Sequence, residues 1–224
     1  MPLEITPKIL SSLEILEGRR KKLLKIGMAM MKAYDGAMYP VDLLAIGALK
    51  RTISTIAGIK QLIQDANMIC ARTLLRTQID TAIRFYSVFI VDDPHSHSLE
   101  ILSGKQINQM KDSSGKQMRD AYLVEKISEE YPWVSTVYKN LSGYIHFSDS
   151  HLFSPVQHVD DETGSMKFAI QAEDTKFPEF SWVEVVDCLN ESIDIFIKYL
   201  EGWIFTKDNP ELIAQIKEER RTSQ

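Results

Sequence analysis

The stretch from Asp65 to Val91, DANMICARTLLRTQIDTAIRFYSVFIV, constrains the fold more than any other part of the chain. At 100° per residue, Ala71, Leu74, Leu75, Gln78, Ile79, Ala82, Phe85, Tyr86 and Phe89 fall on one broad, mostly apolar face. That is the pattern of an amphipathic helix, which must bury the face against other elements. Asp65 or Asn67 supplies a cap at its start, and Asp92, Asp93 and Pro94 close it. On the other side Arg72, Arg76, Asp80 and Arg84 recur at every fourth residue, interleaved with Thr73 and Thr77. The stripe has two readings. One is a solvated face strengthened by Arg76–Asp80 and Asp80–Arg84 pairs, each contributing about 0.2–0.5 kcal/mol. The other is the guanidinium-lined wall of a polar cleft, because arginine forks and hydroxyls suit phosphate or carboxylate recognition.

The rest of the chain repeats the helical period. Thr6 reads as the N-cap of a first helix with Pro7 at its first position, and Ile9, Leu13, Leu16, Leu23, Leu24 and Met28 form its apolar stripe. The run EGRRKK lies outside that stripe, and the turn residues of AYDGAMYP end the helix. A second helix is predicted from Val41 to about Gln64, with Leu43, Leu44, Ile46, Leu49, Ile53 and Ile56 apolar and Gly58 as a weak point. Later segments predict a short helix broken by Pro132 and another from about Trp133 to Tyr144, carrying Val134, Val137, Tyr138 and Leu141, with Ile145 just beyond. FSPVQHV and SMKFAIQ alternate with period two around DDETG, which predicts a β-hairpin over about 153–171. SWVE at Ser181–Glu184 fits a capping box, opening a long helix with Val185, Val186, Leu189, Ile193, Phe196, Leu200, Trp203 and Ile204 inward. The expected fold is all-α: an antiparallel helical bundle over 1–208 with one small β-hairpin inserted before the last core helix. A charged C-terminal helix or tail follows over 209–224.

Composition narrows the function classes. A net charge of −5 argues against general coating of nucleic acid, though not against a local basic pocket. The apolar windows are short and interrupted by charges, so no membrane span is expected, and MPLEITPKIL lacks the pattern of a secretory signal. Cys70 and Cys188 sit in apolar helical surroundings and read as buried reduced thiols, consistent with a cytoplasmic protein.

Several motifs invite chemistry. Gly104-Lys105 and Gly115-Lys116 lack the second glycine and the Ser or Thr of a phosphate loop, and KDSSGKQ reads as an exposed turn. His95-x-His97 reads as a stray surface pair, since nothing supplies the remaining ligands of a zinc site. YKNLSGYIHFSDSHLF (138–153) is the densest cluster. Its His146, Asp149 and His151, with His158, have no recognised metal-ligand spacing, so no metal and no cofactor are expected. His146 has the intrinsic pKa of a general acid–base near neutrality, and a histidine at a helix C-terminus also suits the dipole.

The segments NMICARTLLRTQIDTAIRFYS, GKQINQMKDSSGKQMRDAYLVE and YPWVSTVYKNLSGYIHFSDSHLF resemble an uncharacterised bacterial all-helical protein family. Its marks are an Arg-x-Gln-x-Asp-x-x-x-Arg helix and a Tyr-x-x-Leu-Ser-x-Tyr-x-His segment. The resemblance covers about 40–155 and implies a fold more than an activity. More remotely, the chain is similar to HEPN domains, helical bundles of RNA-cleaving toxins and defence proteins that carry Arg-x4–6-His, usually doubled across a homodimer. This sequence departs from that motif: Asn140 stands six places before His146, beside Lys139, and no arginine lies at the required distance. The HEPN resemblance implies a metal-independent ribonuclease with His146 as general acid–base, completed by Arg76 or Arg84 from across the bundle.

Together these readings predict a cytosolic helical domain, regulatory or defence-related, with a homodimer as a candidate assembly and a polar pocket. Arg72, Arg76, Asp80 and Arg84 would face Tyr144, His146 and His151 and hold an anionic ligand, such as a nucleotide or an RNA phosphate. The alternatives are the HEPN-like ribonuclease, and a purely structural bundle that binds a partner.

Overall fold

Helix α1 (Pro7–Lys32) begins as its sequence directs, with Thr6 Oγ1 accepting the Ile9 N–H at 3.3 Å and Pro7 in the first turn. The computed structural model describes residues 5–174 and 176–222, and over them the chain is an all-α bundle with one small hairpin. Residues 1–4 of the expected bundle and 223–224 of the charged segment lie outside the described residues. α2 (Pro40–Gln64) runs unbroken through Gly58, which sits where α2 passes its neighbour: a Cβ there would lie 2.8 Å from Leu74 Cδ1. Close helix approach, not a break, explains this glycine. α3 (Met68–Tyr86) is capped by Asn67, whose Oδ1 accepts the Cys70 N–H at 3.0 Å, and runs into a 3₁₀ turn at Ser87–Phe89. Then follow α4 (Pro94–Leu102), α5 (Asp120–Ser128), α6 (Trp133–Ile145) and the single turn α7 (Asp149–Leu152). The hairpin pairs β1 (Val156–Asp160) antiparallel with β2 (Ser165–Phe168), and α8 (Glu179–Asp208) and α9 (Pro210–Thr222) complete the chain.

α3 is the hub, packing against α2, α8 and α6. Helices adjacent in sequence cross antiparallel. α8, returned by the long α4-to-hairpin excursion, runs beside α1 and α3 in their own direction: it meets α1 at Arg19–Asp194 and Met30–Lys207, and α3 at Arg72–Glu184 and Phe85–Phe196. Leu16, Leu23, Ile56, Ile79, Trp182 and Phe196 are fully buried among these helices. Each such side chain contributes roughly 1.5–3 kcal/mol relative to exposure. One polar knot lies inside the apolar core. Asp42 Oδ2 is 3.0 Å from Lys207 Nζ and Oδ1 accepts from Trp203 Nε1 at 2.7 Å, with both charged side chains fully buried. Among the described residues no helix is long and apolar enough to cross a membrane.

Four expectations are corrected. Leu24 and Met28 on α1, and Leu43 and Ile46 on α2, are exposed, because the apolar stripes are wider than the faces that α3 and α8 cover. Cys70 is exposed and Cys188 only partly buried. His95 and His97 are not stray surface residues. His97 is buried with Nε2 3.0 Å from Ser87 Oγ, and His95 stacks on Tyr39 at 5.2 Å and meets Trp203 edge-on at 5.6 Å. α8 starts two residues before Ser181, which is a buried position inside the first turn rather than a cap, with Pro178 at the N-cap. Of the two forms expected for 209–224, helix or tail, the described residues take the helix, over Pro210–Thr222.

Candidate functional site

The arginine stripe of α3 faces α6 and the start of α5, so it is neither open surface nor a continuous cleft wall. The side chains of Arg72, Arg76, Asp80 and Arg84 are between 13% and 30% exposed. Along this seam the four residues divide into two groups with different chemistry.

The distal group is internally neutralised. Arg84 Nε donates to Asp80 Oδ2 at 2.8 Å and its Nη2 to Asp120 Oδ1 at 2.7 Å. Arg76 Nη1 lies 3.6 Å from Asp80 Oδ1, and its guanidinium carbon sits 3.3 Å above the Tyr138 ring. Burial works against the Arg84 charge, but the hydrogen bond and charge of Asp80, with Asp120, outweigh it and raise its pKa. Burial pushes the Tyr138 phenol up to about 12, and its buried hydroxyl has no hydrogen-bond partner. Two arginines and two aspartates balance, so this end clamps α3 to α5 and α6 without surplus positive charge.

The proximal group is built differently. Asp174 Oδ2 accepts the Ile69 N–H at 3.1 Å and its own N–H reaches the Ala66 carbonyl at 2.7 Å, pinning the post-hairpin segment to the start of α3. That places Phe177 beside Arg72, whose guanidinium carbon is 5.2 Å from the Phe177 ring centre and 5.0 Å from that of Tyr144. Arg72 Nη1 donates to Tyr144 Oη at 2.5 Å, and the last turn of α6 is held by Thr73 Oγ1, 3.0 Å from the Tyr144 carbonyl. Arg72 Nη2 is 3.8 Å from Glu184 Oε2, too far for a hydrogen bond. Arg72, Tyr144 and Glu184 line a cleft of about 180 Å³ between α3, α6 and α8, together with Asn140 and with Leu75, Val137, Leu141, Val185 and Cys188 as its less polar lining. Burial pushes the Cys188 thiol up to about 11, so it is no thiolate nucleophile near neutrality.

The histidines separate as well. Gly143 lets the chain double back after α6: Ser148 Oγ donates to the Gly143 carbonyl at 2.7 Å, and a Cβ on Gly143 would lie 3.3 Å from Ser148 Oγ and Ser150 Oγ. The fold-back brings His151 edge-on to Tyr144 at 6.1 Å, with Phe147 stacked on its other side at 5.8 Å. His146 caps α6 through its backbone N–H, and its ring is exposed without a hydrogen bond, ion pair or ring contact among the described residues. Tyr144 and His151 therefore join Arg72, whereas His146 meets none of the arginines. Among the described residues no group of three or more His, Cys, Asp or Glu could hold a metal ion.

Two elements of the site had no signal in the sequence. Phe177 and Glu184 belong to segments far from α3 in sequence; the Asp174 contacts bring Phe177 to Arg72, and the packing of α8 brings Glu184. Ser87 and His97 resemble a nucleophile–base pair, but the fully buried Ser87 hydroxyl donates to the Arg84 carbonyl at 2.6 Å. Its proton is committed to the backbone, so His97 Nε2 is the donor to Ser87 and the pair is structural. A wider cleft of about 400 Å³ beside His97 takes in Lys105 and Lys111 but also Asp92, Asp93, Glu100 and Asp112, a poor setting for an anion. Gly104, at φ 98°, ends α4, and Gly115, at φ 80°, closes a turn, so both Gly-Lys pairs answer to backbone geometry. Comparison with protein-family models, curated proteins and solved structures finds no match for the chain.

Proposed function

We propose that this chain is a cytosolic regulatory domain that binds the anionic end of a ligand, a carboxylate or phosphate, at Arg72. One observation carries the reading. Arg72 is held flat by Tyr144 and Phe177 while its Nη2 donors face the cleft without a hydrogen bond. Arg84 is hydrogen-bonded to Asp80 and Asp120, and Arg76 lies against the Tyr138 ring beside Asp80, outside the cleft lining. Arg72, whose ion pair is with the mostly exposed Glu184, is the arginine of the stripe that lines the cleft, and the anion-binding role narrows to it. Glu184, mostly exposed, is free to swing aside or to receive a cationic group of the same ligand. A cleft of about 180 Å³ admits a phosphate or carboxylate with a small apolar body, and a nucleotide or an RNA end would leave its base outside. Tyr144 and Asn140 would complete the donor set, and His151 would steady Tyr144 from behind.

The test is titration of the chain with inorganic phosphate, short carboxylic acids, nucleoside monophosphates and a short single-stranded RNA, followed by amide chemical shifts. Binding that maps to Leu75, Asn140 and Tyr144 and weakens about 10–100-fold in Arg72→Gln is expected, the equivalent of one charge-assisted hydrogen-bond set. Binding unchanged in Arg72→Gln, or no shifts around the cleft with any of the four probes, overturns the reading.

A further inference from the structure

Among the described residues, nothing covers the outer face of the α1–α2 pair. Between the helices runs a groove of about 200 Å³ whose lining is almost wholly apolar. Leu24, Met28 and Met31 form one shoulder, Ile46 and Ile53 the other, and Gly27 leaves the floor bare: a Cβ there would come within 3.1 Å of Leu49 Cδ1. Leu24 and Met28 are 52% and 51% exposed, far from the burial their helical period implies.

The charge around this groove is unlike that of the rest of the chain. Residues 7–64 hold ten lysines and arginines against four acids, a net +6, while the remainder holds sixteen against twenty-seven, a net −11. Three exposed lysines stand one helical turn from the shoulders: Lys25 three residues before Met28, Lys32 four after it, and Lys50 between Ile46 and Ile53. Among the described residues none of these three forms an ion pair, so their charge is available at the rim.

We infer that the α1–α2 groove docks an amphipathic helix of a partner protein, with its apolar stripe on Met28 and Ile46 and acidic residues flanking that stripe. The exposed shoulders span seven residues on each helix, about 10 Å at 1.5 Å per residue, which matches two turns of a helix anchored at i, i+3 or i+4, and i+7. Charge complementarity selects this occupant. A second copy docked face to face would bring two lysine rims (Lys25, Lys32 and Lys50 from each) together, a juxtaposition that opposes association. An anionic bilayer would meet the shoulders and leave the groove between them unfilled.

The test uses the full chain with a fluorescent eighteen-residue helical peptide bearing leucines at i, i+3, i+4 and i+7 and glutamates on both flanks. The same peptide with lysines for the glutamates serves as control. Saturable binding of the acidic peptide is expected, with methyl shifts at Met28 and Met31 and at least tenfold weakening in Met28→Glu. Met28 is half exposed, so that variant should keep the wild-type circular dichroism. The charge-reversed Lys25→Glu/Lys50→Glu chain, whose groove is intact, is expected to lose the acidic peptide and gain the basic one. No binding at 1 mM peptide, or equal binding of both peptides, overturns the inference. So does sedimentation as a dimer, or pelleting with phosphatidylglycerol vesicles, that Met28→Glu abolishes.

Discussion

Replacing Asp42 by alanine probes the one point where three long helices are tied by charge. In the native chain Asp42 Oδ2 accepts the Tyr39 N–H at 2.8 Å and meets Lys207 Nζ at 3.0 Å, while Oδ1 accepts from Trp203 Nε1 at 2.7 Å. Lys207 has one further hydrogen-bond partner among the described residues, the Met30 carbonyl at 3.0 Å, and lies 5.8 Å from the Tyr39 ring centre. The substitution therefore leaves a buried ammonium without its counter-charge and removes the partner of an indole N–H and of the α2 N-cap amide. Leaving one member of a buried pair uncompensated costs about 3–5 kcal/mol. A domain stable by about 5–15 kcal/mol would lose a large share of that. The double variant Asp42→Leu/Lys207→Met removes both charges and leaves the two N–H groups and the Met30 carbonyl without these partners. It is expected to be more stable than Asp42→Ala and less stable than the native chain. Urea unfolding followed by tryptophan fluorescence measures both, since Trp203 adjoins the substitution and Trp182 is fully buried. Because the pair has no solvent exposure, the Asp42→Ala loss should be the same at low and high salt. A loss below about 1 kcal/mol in Asp42→Ala, or a double variant as unstable as the sum of its singles, would show that the pair is not the tie described.

Other buried polar groups give predictions of the opposite sign. Gln78 is fully buried and neither side-chain polar atom has a hydrogen-bond partner, so Gln78→Leu should raise stability by about 1–2 kcal/mol in the same urea assay, and a loss would show that the amide is satisfied. Tyr138→Phe, which deletes an unpartnered buried hydroxyl but keeps the ring under Arg76, should be neutral or stabilising by about 1 kcal/mol. Burial lowers the His97 pKa below 6.5, so as pH falls the unfolded chain takes up this proton first. Stability should then decline from about pH 6.5 downward until the folded ring titrates, and His97→Gln should flatten that part of a melting-temperature-versus-pH curve. An aromatic disulfide reagent at pH 7 should label Cys70 quickly and Cys188 slowly, because Cys70 is exposed and the Cys188 thiol is pushed up to about 11; equal rates would contradict the burial of Cys188.

Helix identity and most boundaries were legible in the residues because the signals are local. Thr6 with Pro7, Asn67 before Met68, and Pro132 before Trp133 each act within one turn, and period 3.6 marks which side chains share a face. Ser181 misled because a capping box needs free N–H groups at a helix start, and the chain is already helical from Glu179. The candidate site was legible only in part. The four-residue step placed Arg72, Arg76, Asp80 and Arg84 on one stripe, and α6 does cover it. Asp120, however, lies thirty-six residues from Arg84, and nothing local reveals that it neutralises the far end of the stripe.

The sequence by itself determined that this chain is helical, where its helices turn, and which residues could carry charge or chemistry, since propensity, capping and periodicity act over a few residues. Tertiary structure alone decided that His146 is exposed and meets no arginine among the described residues while His151 reaches Tyr144, that Arg72 Nη2 meets Glu184 only at 3.8 Å, and that Leu24, Met28 and Ile46 are exposed. Those outcomes depend on which helix meets which face. That choice is made by long-range packing of α8 against α1 and α3, and no short-range pattern encodes it.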